Sequence, residues 1–150
     1  MQVERTFEVD RPIEEVFDYV ADFENTNEWD PGTVETRRTA GDGGLGTTYA
    51  NRSTFLGRTV ELEYETVRHD RPTHVTCRGR NRSSTATDDL TLTAVGDRTR
   101  VHYRATFAFH GLVRFVAPLV VRPRLDGLAD ETVAQLKTAL ERQGRDRPRR

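Results

Sequence analysis

Apolar and polar positions alternate from the start of the chain: Val3, Phe7 and Val9, with Arg5 in phase, face one way, and Gln2, Glu4, Thr6 and Glu8 the other. A period of two marks a strand with one buried face, so the chain is predicted to open with a strand over Gln2–Val9. The period then changes. Ile13, Val16, Phe17 and Val20 recur at helical spacing, with Asp10 placed as N-cap, Pro12 in the first turn, and Glu14 and Glu15 near the positive end of the helix. A second short helical turn begins at Asp22, carries Phe23 and ends at Trp29-Asp30-Pro31-Gly32, where the Pro-Gly pair stops it.

Strands and turns follow up to about Phe109. Residues 33–39 and 47–55 read as strands joined through Gly41-Asp42-Gly43-Gly44, and Gly57 turns the chain into the next strand. In 59–67, Val60, Leu62 and Tyr64 oppose Glu61, Glu63 and Glu65, which gives one dry and one wet face. Val75 and Cys77 share a face in 73–80, Ala86, Asp88, Leu90 and Leu92 in 84–93, and Val101, Tyr103, Ala105, Phe107 and Phe109 in 100–109. Such an antiparallel meander needs a cover on its apolar side. The segment 111–143 supplies it, because Leu125, Leu128, Ala129, Thr132, Val133, Leu136 and Leu140 form one helical stripe. Pro118 and Pro123 predict a split: a short irregular helix from about Val113, then a continuous one from about Arg124 to Arg142. The pattern is that of an α+β domain with a curved antiparallel sheet of six to seven strands around a long C-terminal helix, and two short helices after the first strand.

At 150 residues the chain is the size of one domain. The expected division is a single domain over 1–143 and a disordered basic tail over 144–150, where Arg145, Arg147, Arg149 and Arg150 stand among Gly, Asp and Pro. A formal net charge of -1 gives no global field toward nucleic acid or anionic membrane, so any such binding would need a local patch. One cysteine, Cys77, excludes an internal disulfide and suits a reducing cytoplasm. The polar N-terminus does not read as a signal peptide, and the longest apolar run, 115–121, is far below the roughly 20 residues that span a bilayer. The expected protein is thus cytoplasmic, a monomer or homodimer, with no nucleic-acid partner and no integral membrane association.

No dinucleotide, phosphate-loop, nucleophile-elbow or Cys-x-x-Cys motif is present, and His69, His74, His102 and His110 accompany no carboxylate at metal-ligand spacing. No cofactor and no metal site are expected. His69 and His74 flank a turn and read as solvated, His102 as an exposed strand residue, and His110 as a rim residue where the last strand meets the helical segment. Asp88 is in phase with apolar neighbours, so alternation aims a carboxylate into the dry side, where it could serve as a general base. A shifted register near Ser84, or an arginine partner at the sheet edge, would remove that role. Tyr49, Tyr64 and Tyr103 fall on the same inner face and could hydrogen-bond a ligand, or be core tyrosines with their tips at the rim. Asn51, with Ser53, could add polar contacts. Cys77 reads as a small buried hydrophobe.

The opening Phe7-Glu8-Val9-Asp10-Arg11-Pro12-Ile13-Glu14-Glu15-Val16-Phe17-Asp18-Tyr19-Val20, then Asp22, Asn25 and Trp29-Asp30-Pro31, and later Gly96-Asp97-Arg98-Thr99-Arg100-Val101, together resemble the START-like superfamily. That superfamily is also called Bet v 1-like or SRPBCC, and the nearest branch is the polyketide cyclase/dehydrase one. The resemblance covers about 2–142. It implies a helix-grip fold, a cavity between sheet and terminal helix, and Trp29 at the cavity mouth. It leaves activity open, since such folds include cyclases, lipid and sterol carriers, receptors and co-chaperones. The expected walls are Leu62, Tyr64, Val75, Cys77, Leu90, Val101, Phe107, Phe115, Leu119 and Leu128, with Trp29, Tyr49, Asn51, Tyr103 and His110 adding polar or aromatic contacts. Three functions compete: a carrier of a small hydrophobic metabolite or lipid, a cofactor-free cyclase or dehydratase using Asp88, and a partner-binding accessory domain.

Overall fold

A computed structural model describes residues 1–55 and 57–145. Seven strands form one antiparallel sheet: β1 (Gln2–Val9), β2 (Thr33–Ala40), β3 (Thr48–Phe55), β4 (Arg58–Asp70), β5 (His74–Arg80), β6 (Ser84–Val95) and β7 (Arg98–Phe109), in the spatial order β1-β7-β6-β5-β4-β3-β2. The chain leaves one edge at β1 and reaches the opposite edge at β2 through α1 (Ile13–Ala21), a 3-10 turn (Phe23–Asn25) and α2 (Thr26–Trp29). It then meanders back strand by strand. α3 (Val113–Arg145) lies across the concave face. This is the α+β helix-grip arrangement that the alternation and the helical stripe predict.

Register shifts between β2 and β3 and between β4 and β5 curve the sheet. The second has a local consequence. Past the shift between Thr66 and Arg68, the ring of His69 packs edge-on against Phe17, with centroids 5.1 Å apart. His69 is therefore half-buried rather than solvated, and His74 is half-buried on the outer face with Asp89. The turn between β6 and β7 uses Gly96 at φ 62°, a left-handed conformation that favours glycine. Gly79 is required for space, since a Cβ there would sit 2.5 Å from the Tyr64 ring.

Two local expectations differ from what is observed. The N-cap of α1 is Pro12, without a side-chain cap, and Asp10 is exposed just ahead of it. Instead Arg11, 4% exposed, folds inward: it donates to the Leu140 carbonyl at 3.0 Å and pairs with Glu15 at 3.1 Å. α3 is one helix with both prolines inside it. Each proline removes a single N–H from the helical ladder, and the bonds around it carry the helix through. α3 also takes in Gly144 and Arg145, which the sequence assigned to the tail; positions 146–150 lie outside the described residues.

The interior is not uniform along α3. Around Arg11, the side chains of Val9, Val16, Val75, Leu92, Val101, Leu136 and Leu140 are all 2% exposed or less. Toward the other end the inward residues Phe55, Leu62, Phe107 and Phe109 are only partly covered, and the first turns of α3 carry exposed apolar side chains. Between these ends Arg5 fastens β1 to α3, with its guanidinium 2.8 Å from Asp130 and 3.1 Å from Asp126. Among the described residues no helix is long and apolar enough to cross a membrane.

Candidate ligand site

The middle of the concave face is carried by β4 to β7. β6 and β7 pair without a register shift from Ser84 to Val95, so alternation aims Asp88 inward with Ala86, Leu90 and Leu92. Tyr103 sits opposite Leu90 and reaches diagonally to Asp88, opposite Ala105; its hydroxyl donates to Asp88 Oδ1 at 2.7 Å. No ion pair among the described residues involves Asp88. Neither alternative to an inward, cation-free carboxylate is what the structure contains.

Burial pushes the Asp88 carboxyl up to about 7; the Tyr103 hydrogen bond opposes the shift and the charge of Asp30 adds to it. Asp88 is enclosed by protein yet keeps part of its surface in reach of water. The carboxyl is thus buried in the concave face and still partly reachable by water. Burial and the neighbouring Asp88 charge likewise raise the Tyr64 and Tyr103 phenols well above their ordinary value.

Asp30, which the sequence pattern did not single out, is the second acid of this region. It follows α2, accepts from the Gly32 N–H at 3.0 Å and from the Thr33 hydroxyl at 2.9 Å, and is raised by burial, with Glu131 on α3 adding to the shift. It lies outside any strand phase, so periodicity carries no signal for it. The only sequence hint is its place in Trp29-Asp30-Pro31. Trp29 is 2% exposed, packs edge-on to Tyr103 at 6.3 Å, and its indole N–H has no acceptor among the described residues. It belongs to the buried core rather than to a mouth.

The remaining expected residues divide by position. Val75, Leu90 and Val101 are packed core. Cys77 is buried beside Thr66, and burial raises its thiol to about 12, which makes it inert. Leu62, Phe107 and Leu128 are partly covered, and Phe107 stacks on Phe55 at 6.3 Å. Tyr49 packs against Phe23 at 5.7 Å. Asn51 is buried but spent on the protein: it donates to Thr36 at 2.9 Å and accepts from Ser53 at 2.8 Å. Three residues lie outside. His110 is exposed and contacts Thr85 at 2.9 Å, while Phe115 and Leu119 are 64% and 77% exposed. Their apolar character is the same as that of wall residues, but they sit on the side of α3 turned from the sheet.

Two surface depressions lie elsewhere, one around Glu28, Glu131 and Arg142 and one around Arg37, Arg52, Glu61 and Glu63. Their open, mixed-charge linings suit water better than an apolar ligand. Among the described residues no three of His, Cys, Asp and Glu gather to hold a metal ion.

The sequence matches, over residues 1–141, the model of a family described as polyketide cyclase / dehydrase and lipid transport. Its fold is similar to that of the Zhui aromatase/cyclase from Streptomyces sp. R1128, at TM-score 0.77 and 15% identity over 97% of this chain and 96% of that one. It is also similar to TTHA0849 from Thermus thermophilus, at 0.74 and 17% over 95% of each chain, and to a START superfamily protein from Mycobacterium smegmatis, at 0.71 and 19% over 95% of each. No protein with a curated description matches the sequence.

Proposed function

Because the chain belongs to the polyketide cyclase / dehydrase and lipid transport family, we propose that its interior binds a small, largely apolar molecule, a lipid or hydrophobic metabolite, whose polar group is held at Asp88 and Tyr103. The observation that carries this reading is the enclosed, cation-free Asp88, hydrogen-bonded to Tyr103 and still partly reachable by water. A buried carboxyl of this kind is costly unless something meets it. Trp29 adds an unpaired indole N–H nearby, and Leu62, Phe107 and Leu128 add apolar wall. Apolar lining with a few convergent polar groups is the usual make-up of a small-molecule site.

A second reading rests on the same residue. A carboxyl titrating near 7 is matched to general-base work at neutral pH. As a carboxylate, Asp88 could take a proton from carbon beside a carbonyl while the pocket holds the chain folded for ring closure.

Mass spectrometry of organic extracts of the purified protein tests the first reading. A copurifying apolar molecule is expected, with its occupancy reduced about tenfold or more in Asp88→Asn by the lost charged hydrogen bond. No copurifying molecule and no saturable site for an apolar dye would overturn it.

A further inference from the structure

Six apolar side chains at the start of α3 stand in solvent: Leu112, Val113, Phe115, Val116, Leu119 and Val120 are between 42% and 85% exposed. Exposed apolar residues scattered singly mean little, but these are contiguous. At ~3.6 residues per turn they fall on one side of the helix, roughly opposite Val121 and Leu125, which are buried at 2% and 8% and hold this stretch to the domain. This part of the helix is therefore apolar on both sides and packed on one.

Along the exposed stretch of the helix itself the charges are of one sign, and the first acid, Asp126, lies past it and is paired with Arg5. From Gly111 to Leu125 the chain carries Arg114, Arg122 and Arg124 and no carboxylate. Arg122 and Arg124 project to either flank of the apolar side, and the Arg114 guanidinium lies 4.6 Å over the Phe115 ring. All three arginines are exposed. Across this end of the sheet Arg58, Arg80 and Arg82 are exposed as well, beside the exposed Glu61 and Glu63 of β4. A chain with a net charge of -1 thus carries three arginines and no acid along its largest bare apolar stretch.

An apolar helix face flanked by arginine is the arrangement that seats a helix in the headgroup region of an anionic bilayer. A second copy of this chain fits less well, because a two-fold contact through this face would bring arginine against arginine. We propose that the exposed side of α3 from Leu112 to Val120 docks the protein on anionic lipid membranes, with the apolar side chains entering the interface and the flanking arginines meeting phosphate. The docking is peripheral and reversible, and it holds whether or not the interior site catalyses. It places the partly covered end of the interior at the membrane, so that an apolar ligand could pass without crossing water.

The test is flotation of the full chain with vesicles of phosphatidylcholine alone and of phosphatidylcholine mixed with phosphatidylglycerol. Binding to the mixed vesicles is expected, weakened by salt and several-fold lower on phosphatidylcholine alone. The doubly substituted Phe115→Gln/Leu119→Gln chain should lose about tenfold or more of that binding. Arg122→Gln/Arg124→Gln should reduce binding to the mixed vesicles alone and flatten its salt dependence. All four positions are exposed, so an unchanged thermal melt is expected and separates docking from unfolding. Equal flotation of wild type and Phe115→Gln/Leu119→Gln would overturn the proposal. So would a dimer, seen by analytical ultracentrifugation, that those two substitutions dissociate.

Discussion

The two ends of α3 use the same kinds of side chain for opposite purposes. At the C-terminal end Leu136 and Leu140 are fully buried with Val9, Val16 and Val101, and Arg11 closes the end by bonding the Leu140 carbonyl. At the N-terminal end Phe115 and Leu119 face solvent, and the inward residues beneath, Phe55, Leu62 and Phe107, are only partly covered. One end is closely packed and the other is only partly covered. The Asp88–Tyr103 pair sits between them, in the middle of the sheet.

Stability measurements can break this contrast. Leu136→Ala should cost about 2–5 kcal/mol in urea denaturation, as a large-to-small change in packed core does. Leu119→Ala should cost less than about 0.5 kcal/mol, the usual effect of an exposed substitution. Comparable losses at the two sites would mean that the ends are not different.

The pH dependence of stability sharpens it. Asp88 binds its proton more tightly in the folded chain, with its carboxyl moved from 3.8 to about 7. Between those values the native state therefore holds more protons than the unfolded state, and stability falls as pH rises. A shift of this size corresponds to at most about 4 kcal/mol lost by pH 8, an upper limit because water reaches part of the residue. Asp30 is raised in the same sense, so some slope should remain in Asp88→Asn, but less of it. Identical slopes in the two proteins would mean that Asp88 does not hold its proton more tightly in the folded chain.

Strand alternation made much of this legible in the sequence. It placed Asp88 and Tyr103 on one concave face because β6 and β7 pair without a slip, and Tyr64 and Cys77 with them because β5 pairs with β6 without one and with β4 up to Thr66. His69 was illegible because a bulge reverses its phase. Phe115 and Leu119 were misplaced for a different reason: where a helix is apolar all round, its spacing does not say which side meets the sheet. Asp30 lies on no strand or helix, so its burial and the reach of its charge to Asp88 arise only from the folded chain. Asn51 has the right phase for a ligand contact, but Thr36 and Ser53, from β2 and its own strand, take its amide first.

The central claim is that Asp88 is an enclosed, cation-free carboxyl on the concave face of the sheet, bonded to Tyr103 and partly reachable by water. Following its side-chain carboxyl carbon by NMR across a pH titration tests this directly. A midpoint near 7 is expected. A midpoint at about 4, the value of an ordinary solvated aspartate, would contradict it.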